Sequence, residues 1–368
     1  METRITSQAP EVSSSNPEGA PQAPAQGTAT LGRVETLSTE FVSGWASVQA
    51  SRQFAHVFAV LESEVIGFGV ANMARPDLDK ARQAGQLDAY AFMLTFQRPV
   101  AAELVASIHV FVVGQPLMLS LARQIKIDRA PCLRLFVMGS PRSGTSQLGS
   151  TLTQVLGLPW LGEGHGAPLF ARAADALSGD RAAENGLVRH MARENFRQIA
   201  IQAARSAYFH MHGSASFLDK TPGVPMIAAA TFLLECFPDS RFIFLRRHPV
   251  ANIRSRLVKF GGHFEEHCRD WAAAMNEWLR VRTKLPHYVE IQQEEMLEAP
   301  ERVARLIADY VRVPQAADRI CESLKTDRLE QTGAGAGKTD RLQAGWTAEQ
   351  VSAFDRICGP AMRAFGYG

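Results

Sequence analysis

Leu133-Arg-Leu-Phe-Val-Met138 runs directly into Gly139-Ser-Pro-Arg-Ser-Gly-Thr-Ser146, after which Leu148, Leu152, Val155 and Leu156 recur at the spacing of one helical face. The first run is apolar enough to be a strand buried on both sides, and the periodic segment is an amphipathic helix. Strand, glycine-rich loop and helix in that order form an anion cradle. The loop turns successive backbone N–H groups toward one point, the helix N-terminus adds its partial positive charge, and the glycines let the backbone come close to a ligand.

The spacing fits the phosphate-loop template G-x-x-x-x-G-K-[ST], with Thr145 where the template has lysine. That lysine reaches the β and γ phosphates of a triphosphate, so this loop is poorly equipped for ATP or GTP chemistry. Arg142 supplies instead a planar, permanently charged fork suited to a pair of sulfonate or phosphate oxygens. Ser143, Gly144, Thr145 and Ser146 complete the expected binding loop. Gly333-Ala-Gly-Ala-Gly-Lys-Thr339 imitates the same template, but Thr332 stands where its first glycine belongs and the preceding Lys325 to Gln331 is charged. It reads as a flexible lid from which Lys338 folds over a bound phosphate.

Beyond the loop, short apolar runs at 133–138, 217–218, 241–245 and 288–291 alternate with helical periods, among them Val303, Leu306, Ile307 and Tyr310 and a last helix near 348–365. This alternation predicts an α/β domain over residues 130–368, with a phosphate-loop-type parallel sheet flanked by helices. Residues 31–129 differ: Ala55 to Leu61 and Glu64 to Val70 have strand composition, which predicts a small β-rich, sandwich-like accessory module. Residues 1–30, rich in Ser, Pro, Ala, Gln and Gly, read as a disordered tail.

Hydrophobic residues at 46% and charged residues at 21% sit near globular averages. A formal charge of +2, without a basic domain or an aromatic-basic sheet motif, argues against a nucleic-acid partner. The 5 cysteines are scattered and form no C-x-x-C pair, which fits a reducing compartment. The N-terminus lacks the charged start and apolar stretch of a secretory signal. The longest apolar stretch, Ala106 to Ala122, is interrupted by His109, Gly114, Gln115 and Pro116, whereas a membrane span needs about 20 apolar residues. A cytoplasmic protein without a membrane span is expected.

A second anion site is expected in Arg241-Phe-Ile-Phe-Leu-Arg-Arg-His-Pro-Val-Ala-Asn-Ile-Arg-Ser-Arg256, a buried strand entering a loop and a helix. Residues 239–259 hold 6 Lys or Arg against Asp239, a local charge that calls for an anionic partner. Arg247 at the strand end and Ser255 in the helix are spaced to grip one phosphate, the first by charge and the second by its hydroxyl.

Pro141-Arg-Ser-Gly-Thr-Ser146 resembles the 5′-phosphosulfate loop of sulfotransferases that use PAPS (phosphoadenosine phosphosulfate), and Arg247 with Ser255 resembles their 3′-phosphate site. The resemblance covers residues 133–366. It implies PAPS as co-substrate, no metal ion, and a hydroxyl-bearing acceptor. Phe217-Leu-Asp-Lys-Thr-Pro222 resembles the segment whose lysine contacts the transferred group, which implies that role for Lys220. Glu294 to Pro300 and the ending Cys358-Gly359 with Phe365-Gly366-Tyr367 are similar to family segments, although Gln293 replaces a usual tyrosine. Upstream, Gly44-Trp45-Ala46, Arg75-Pro76-Asp77-Leu78 and Tyr90-Ala91-Phe92 resemble a β-sandwich module found beside bacterial glycosyltransferases and sulfotransferases, which points to a glycan acceptor ahead of a lipid, a metabolite or a peptide tyrosine.

Sulfuryl transfer needs charge neutralisation, for which Arg142 and Lys220 are the candidates, and a base for the incoming hydroxyl. Glu163 and His165, in the glycine-rich Trp160-Leu-Gly-Glu-Gly-His-Gly166, are both candidate bases. The family resemblance favours Glu163, which is expected near Arg142 and so kept ionised. His263, His267 and Cys268 have a helical spacing that a metal could use, but no fourth ligand is evident, and the segment reads as a polar helix start. A phosphate-loop kinase and a non-catalytic carbohydrate-binding protein are the alternatives. The missing lysine counts against the first, and the joint presence of Arg142, Lys220, Arg247 and Ser255 against the second.

Overall fold

The computed structural model describes residues 32–47, 54–83, 89–113, 118–128, 132–178, 193–326 and 345–367. The predicted tail, the glycine-rich lid and Lys338 lie outside the described residues.

Among the described residues, seven strands form the upstream part: β1 (Gly32–Ser38), β2 (Phe41–Ser47), β3 (Ala55–Leu61), β4 (Glu64–Ala71), β5 (Ala89–Thr95), β6 (His109–Val112) and β7 (Ser120–Asp128), with α1 (Pro76–Gln83) between β4 and β5. They make a four-stranded sheet, β5-β2-β1-β7, and a three-stranded sheet, β4-β3-β6. Val34, Val42, Val57, Ile66, Phe92, Leu94 and Val110 fill one core. Alternation in β3 explains the burial: Val57 and Ala59 point inward and His56 outward. Arg75, just before α1, pairs with Glu35 on β1 at 2.5 Å and with Asp77 at 2.7 Å, so the quoted Arg-Pro-Asp motif pins the helix to the sheet.

The downstream part holds β8 (Arg134–Gly139), β9 (Phe217–Lys220), β10 (Arg241–Arg246) and β11 (Tyr288–Gln292). All pair in parallel, in the order β11-β10-β8-β9. Every residue of β8 is buried, as a central strand covered on both faces requires. Leu135 and Val137 pack on one side with α2 (Thr145–Leu156), α9 (Gln293–Glu298), α10 (Pro300–Tyr310) and α11 (Ala317–Thr326). Phe136 and Met138 pack on the other with α3 (Gly166–Ser178), α4 (Arg193–His212), α5 (Val224–Ala228), α6 (Ala230–Cys236), α7 (Pro249–Phe260), α8 (Phe264–Arg282) and α12 (Ala348–Ala364). The expected parallel sheet flanked by helices is therefore present. The expected α10 face needs one correction, because Leu306 is 41% exposed while Val303 and Ile307 are buried.

The two parts are joined by a buried ion network. Glu40, between β1 and β2, accepts from Arg134 at the start of β8 at 2.6 Å and from Arg205 on α4 at 2.5 Å. Phe41 packs against Phe209, with ring centroids 5.4 Å apart, and belongs to the core of the α/β part. Among the described residues, no helix is long and apolar enough to cross a membrane.

Candidate active site

The β8 to α2 loop is held in a demanding backbone conformation. Arg142 has φ 71° and Gly144 φ 88°, both left-handed, and a non-glycine residue there persists only when its surroundings impose it. A Cβ at Gly144 would sit 2.9 Å from Gln293 Cγ, so glycine is needed for space as well as for φ. Gln293, in the place of the family tyrosine, thus packs directly under the loop. Gly144 caps α2 without any side-chain hydrogen bond, and no acidic residue lies in the first turn. The first N–H groups of α2 therefore keep their donor capacity and partial positive charge for an anion.

Helix α7 braces this loop from the side. Asn252, fully buried, donates from Nδ2 to Pro141 O at 3.0 Å and to Ser143 Oγ at 3.1 Å. Arg142 Nε donates to Ser255 Oγ at 3.1 Å, and Arg247 donates to the Arg142 carbonyl at 3.1 Å. The two expected anion sites are thus one connected network. Arg247 Nε is buried and has no hydrogen-bond partner among the described residues. Burial lowers the Arg247 pKa, Glu294 opposes that shift, and Arg142 adds to it. Such a guanidinium, desolvated and beside a second cation, is suited to an arriving anion.

Three of the six cations of the basic cluster around β10 turn to internal partners. Arg241 donates to Tyr310 O at 2.6 Å, and Arg246 to Phe365 O at 3.1 Å. Arg256 meets Asp270 and His267 Nδ1 and reaches Ser140 Oγ at 3.4 Å. The sequence counts these charges alike, but burial assigns them to internal partners. His267 is engaged the same way, its Nε2 lying 2.6 Å from Gly261 O. Cys268 is buried in the core, and no metal-binding group of three or more His, Cys, Asp or Glu occurs among the described residues.

The candidate base lies across the loop. Lys220, at the end of β9, donates to Glu163 Oε1 at 2.6 Å and to Ser146 Oγ at 3.1 Å. His165 Nε2 is 3.4 Å from Glu163 Oε2 on the exposed side. The partner expected for Glu163 was Arg142; the structure supplies Lys220 instead, because Arg142 turns toward Ser255. Trp160, which sequence reasoning passed over, places its ring 5.7 Å from the Lys220 ammonium and donates to Gly162 O at 2.6 Å. Asn252 was also passed over, although it lies on the same helix as Ser255, one turn earlier.

The model of the sulfotransferase family matches residues 134–318, half of the 368-residue chain. No curated protein matches. Among solved structures, the chain is similar to the sulfotransferase domain of the olefin synthase from Synechococcus PCC 7002, at 20% identity over 65% of this chain and 96% of that one, with a TM-score of 0.39. It is similar to sulfotransferase STF9 from Mycobacterium avium at 17% identity over 65% and 78% of the two chains, TM-score 0.39. Mouse sulfotransferase SULT7A1, complexed with PAP, is 11% identical over 64% of this chain and 86% of that one, TM-score 0.39. With the family match running from β8 through the loop, Lys220 and Arg247 into the start of α11, the chain belongs to the sulfotransferase family.

Proposed function

We propose that this protein transfers a sulfuryl group from PAPS to a hydroxyl of an acceptor, with a glycan as the first acceptor class and the cytoplasm as the place of reaction. The observation that carries the reading is the Lys220–Glu163 pair, 2.6 Å apart and hydrogen-bonded to Ser146 in the first turn of α2. A cation and a base stand together beside an anion-ready helix N-terminus. Two adjoining groups would hold the donor: the uncapped amides of α2 with Arg142, and Arg247, whose Nε has no partner among the described residues, with Ser255, the two groups being joined by the Arg142–Ser255 hydrogen bond. The donor supplies an activated sulfuryl group, whose bond to the bridging phosphate oxygen breaks as the acceptor oxygen bonds to sulfur.

In this reading Arg142, Ser143, Gly144, Thr145 and Ser146 bind the phosphosulfate end, and Arg247 with Ser255 binds the 3′-phosphate. Lys220 stabilises negative charge on the departing oxygen, Glu163 takes the acceptor's proton, and His165 steadies Glu163. The Trp160 ring limits water around Lys220, which strengthens its charge at the reacting centre. These cations neutralise the transferred group unaided, so no metal ion is required.

A screen with radiolabelled PAPS against oligosaccharides, hydroxylated lipids, phenols and tyrosine peptides tests the reading. Label on any hydroxyl acceptor supports it, and label on oligosaccharides supports the acceptor class. Phosphoryl transfer from ATP with no transfer from PAPS would overturn it in favour of a kinase.

A further inference from the structure

Asp219 is 3% exposed, immediately before Lys220, and both its oxygens are claimed by hydroxyls. Tyr208 on α4 donates to Oδ2 at 2.6 Å, and Thr221 donates to Oδ1 at 2.7 Å. The loop carrying Glu163 and His165 passes beside the same carboxylate, close enough that a Cβ built on Gly164 would come into van der Waals contact with Asp219 Oδ2 at 3.4 Å. That loop is tied to β9 at its base, where Leu218 N donates to Pro159 O at 3.1 Å. Its backbone is not self-determined. Gly162 has φ 88° and His165 φ 48°, so left-handed residues stand on both sides of Glu163, and the second is strained unless its surroundings hold it.

We propose that Asp219, keyed by Tyr208 and Thr221, is a positioning residue that holds the Gly162 to Gly166 loop and thereby sets Glu163 against Lys220. A buried carboxylate that lost a hydroxyl donor would take up water or a proton, and the exposed loop at Gly164 is the neighbouring element with room to move. The charged and titratable groups facing it are Tyr208 from α4, His165 from the loop and Lys220 from its own strand. Burial raises the Asp219 pKa, while Tyr208, Thr221, His165 and Lys220 lower it. Losing the Tyr208 donor therefore moves that carboxyl upward.

The kinetic part rests on the sulfotransfer reading; the structural part does not. Tyr208→Phe removes only the hydroxyl and keeps the ring, whose centroid lies 5.2 Å from that of Phe217. Amide hydrogen exchange at residues 162–166 should quicken roughly tenfold or more, the worth of one hydrogen bond to a charged group. Turnover should fall by about tenfold, with the Kd for adenosine 3′,5′-bisphosphate changed by less than about twofold and the acid limb of kcat shifted to higher pH. Thr221→Val should act in the same direction and serves if Tyr208→Phe fails to fold. Unchanged exchange at 162–166 in a folded variant overturns the proposal. If the wild-type protein transfers no sulfuryl group, the sulfotransfer reading falls, while the exchange measurement still decides on Asp219.

Discussion

Lys220 and Glu163 form an ion pair of unequal partners: the lysine side chain is 4% exposed, the glutamate 40%, and 2.6 Å separates them. The buried partner depends on the exposed one for its countercharge, while the carboxylate stays partly open to solvent. In the proposed reaction Lys220 would face the donor and Glu163 the acceptor, and because one contact holds both, a change at either residue disturbs the other.

Glu163→Gln keeps the shape and a hydrogen-bond acceptor for Lys220 but removes the proposed base. Turnover should drop by about 10²–10⁴ with nucleotide affinity nearly unchanged. His165, exposed and 3.4 Å away, should matter less, with His165→Ala costing about tenfold at most. Steady-state kinetics of both variants check this. A dead His165 variant beside an active Glu163 variant would make the imidazole the base.

Arg247 Nε is buried without a partner among the described residues, a cost that an incoming phosphate would relieve. Adenosine 3′,5′-bisphosphate should therefore bind more tightly than adenosine 5′-phosphate, and Arg247→Ala should remove most of the difference, a loss of roughly ten- to hundredfold. Calorimetry with the two nucleotides measures it. Equal affinities in the wild-type protein would remove Arg247 from the 3′ site.

Glu40 is the shared counter-ion of Arg134 and Arg205, all three nearly inaccessible. Replacing one partner of a buried network strands the others, so Glu40→Ala should cost about 3–5 kcal/mol, read by denaturant unfolding. A fragment of residues 130–368 contains the candidate site residues but loses Glu40 and Phe41, and it should unfold at lower denaturant than the full chain. A stable, unperturbed Glu40→Ala protein would mean that the two arginines find other partners.

His212 stacks on Phe217 at 4.7 Å, and burial lowers its pKa from 6.5 to about 4. Its unfolded form binds a proton that the folded form rejects. The stability tied to the neutral ring is therefore present above pH 6.5 and is lost as pH falls toward about 4. In His212→Gln, stability should decline less steeply across that window. Unfolding midpoints measured at several pH values will show it, and parallel curves for the two proteins would contradict it.

What could be read along the chain was local. The loop at Gly139 to Ser146 is contiguous with its strand and helix, so apolar run, glycine spacing and helical period together announced the parallel sheet and the strand, loop and helix that the proposed anion cradle uses. That Arg247 and Ser255 lie on one strand end and the next helix was legible for the same reason, but that both meet Arg142 was not. Contacts between distant segments were not legible. Because β9 lies beside β8, the loop following α2 crosses the end of β9, and Glu163 meets Lys220 rather than Arg142. Glu40, Arg134 and Arg205 come from three separate stretches, as do Tyr208, Gly164 and Asp219. Charge is written in the sequence, but desolvation and partnership are not. Only the folded chain decides that Arg241, Arg246 and Arg247 donate to carbonyls and Arg256 to a carboxylate, and that among the described residues the buried Nε of Arg246 and of Arg247 is left without a partner, because burial depends on what packs around a residue and not on its neighbours along the chain.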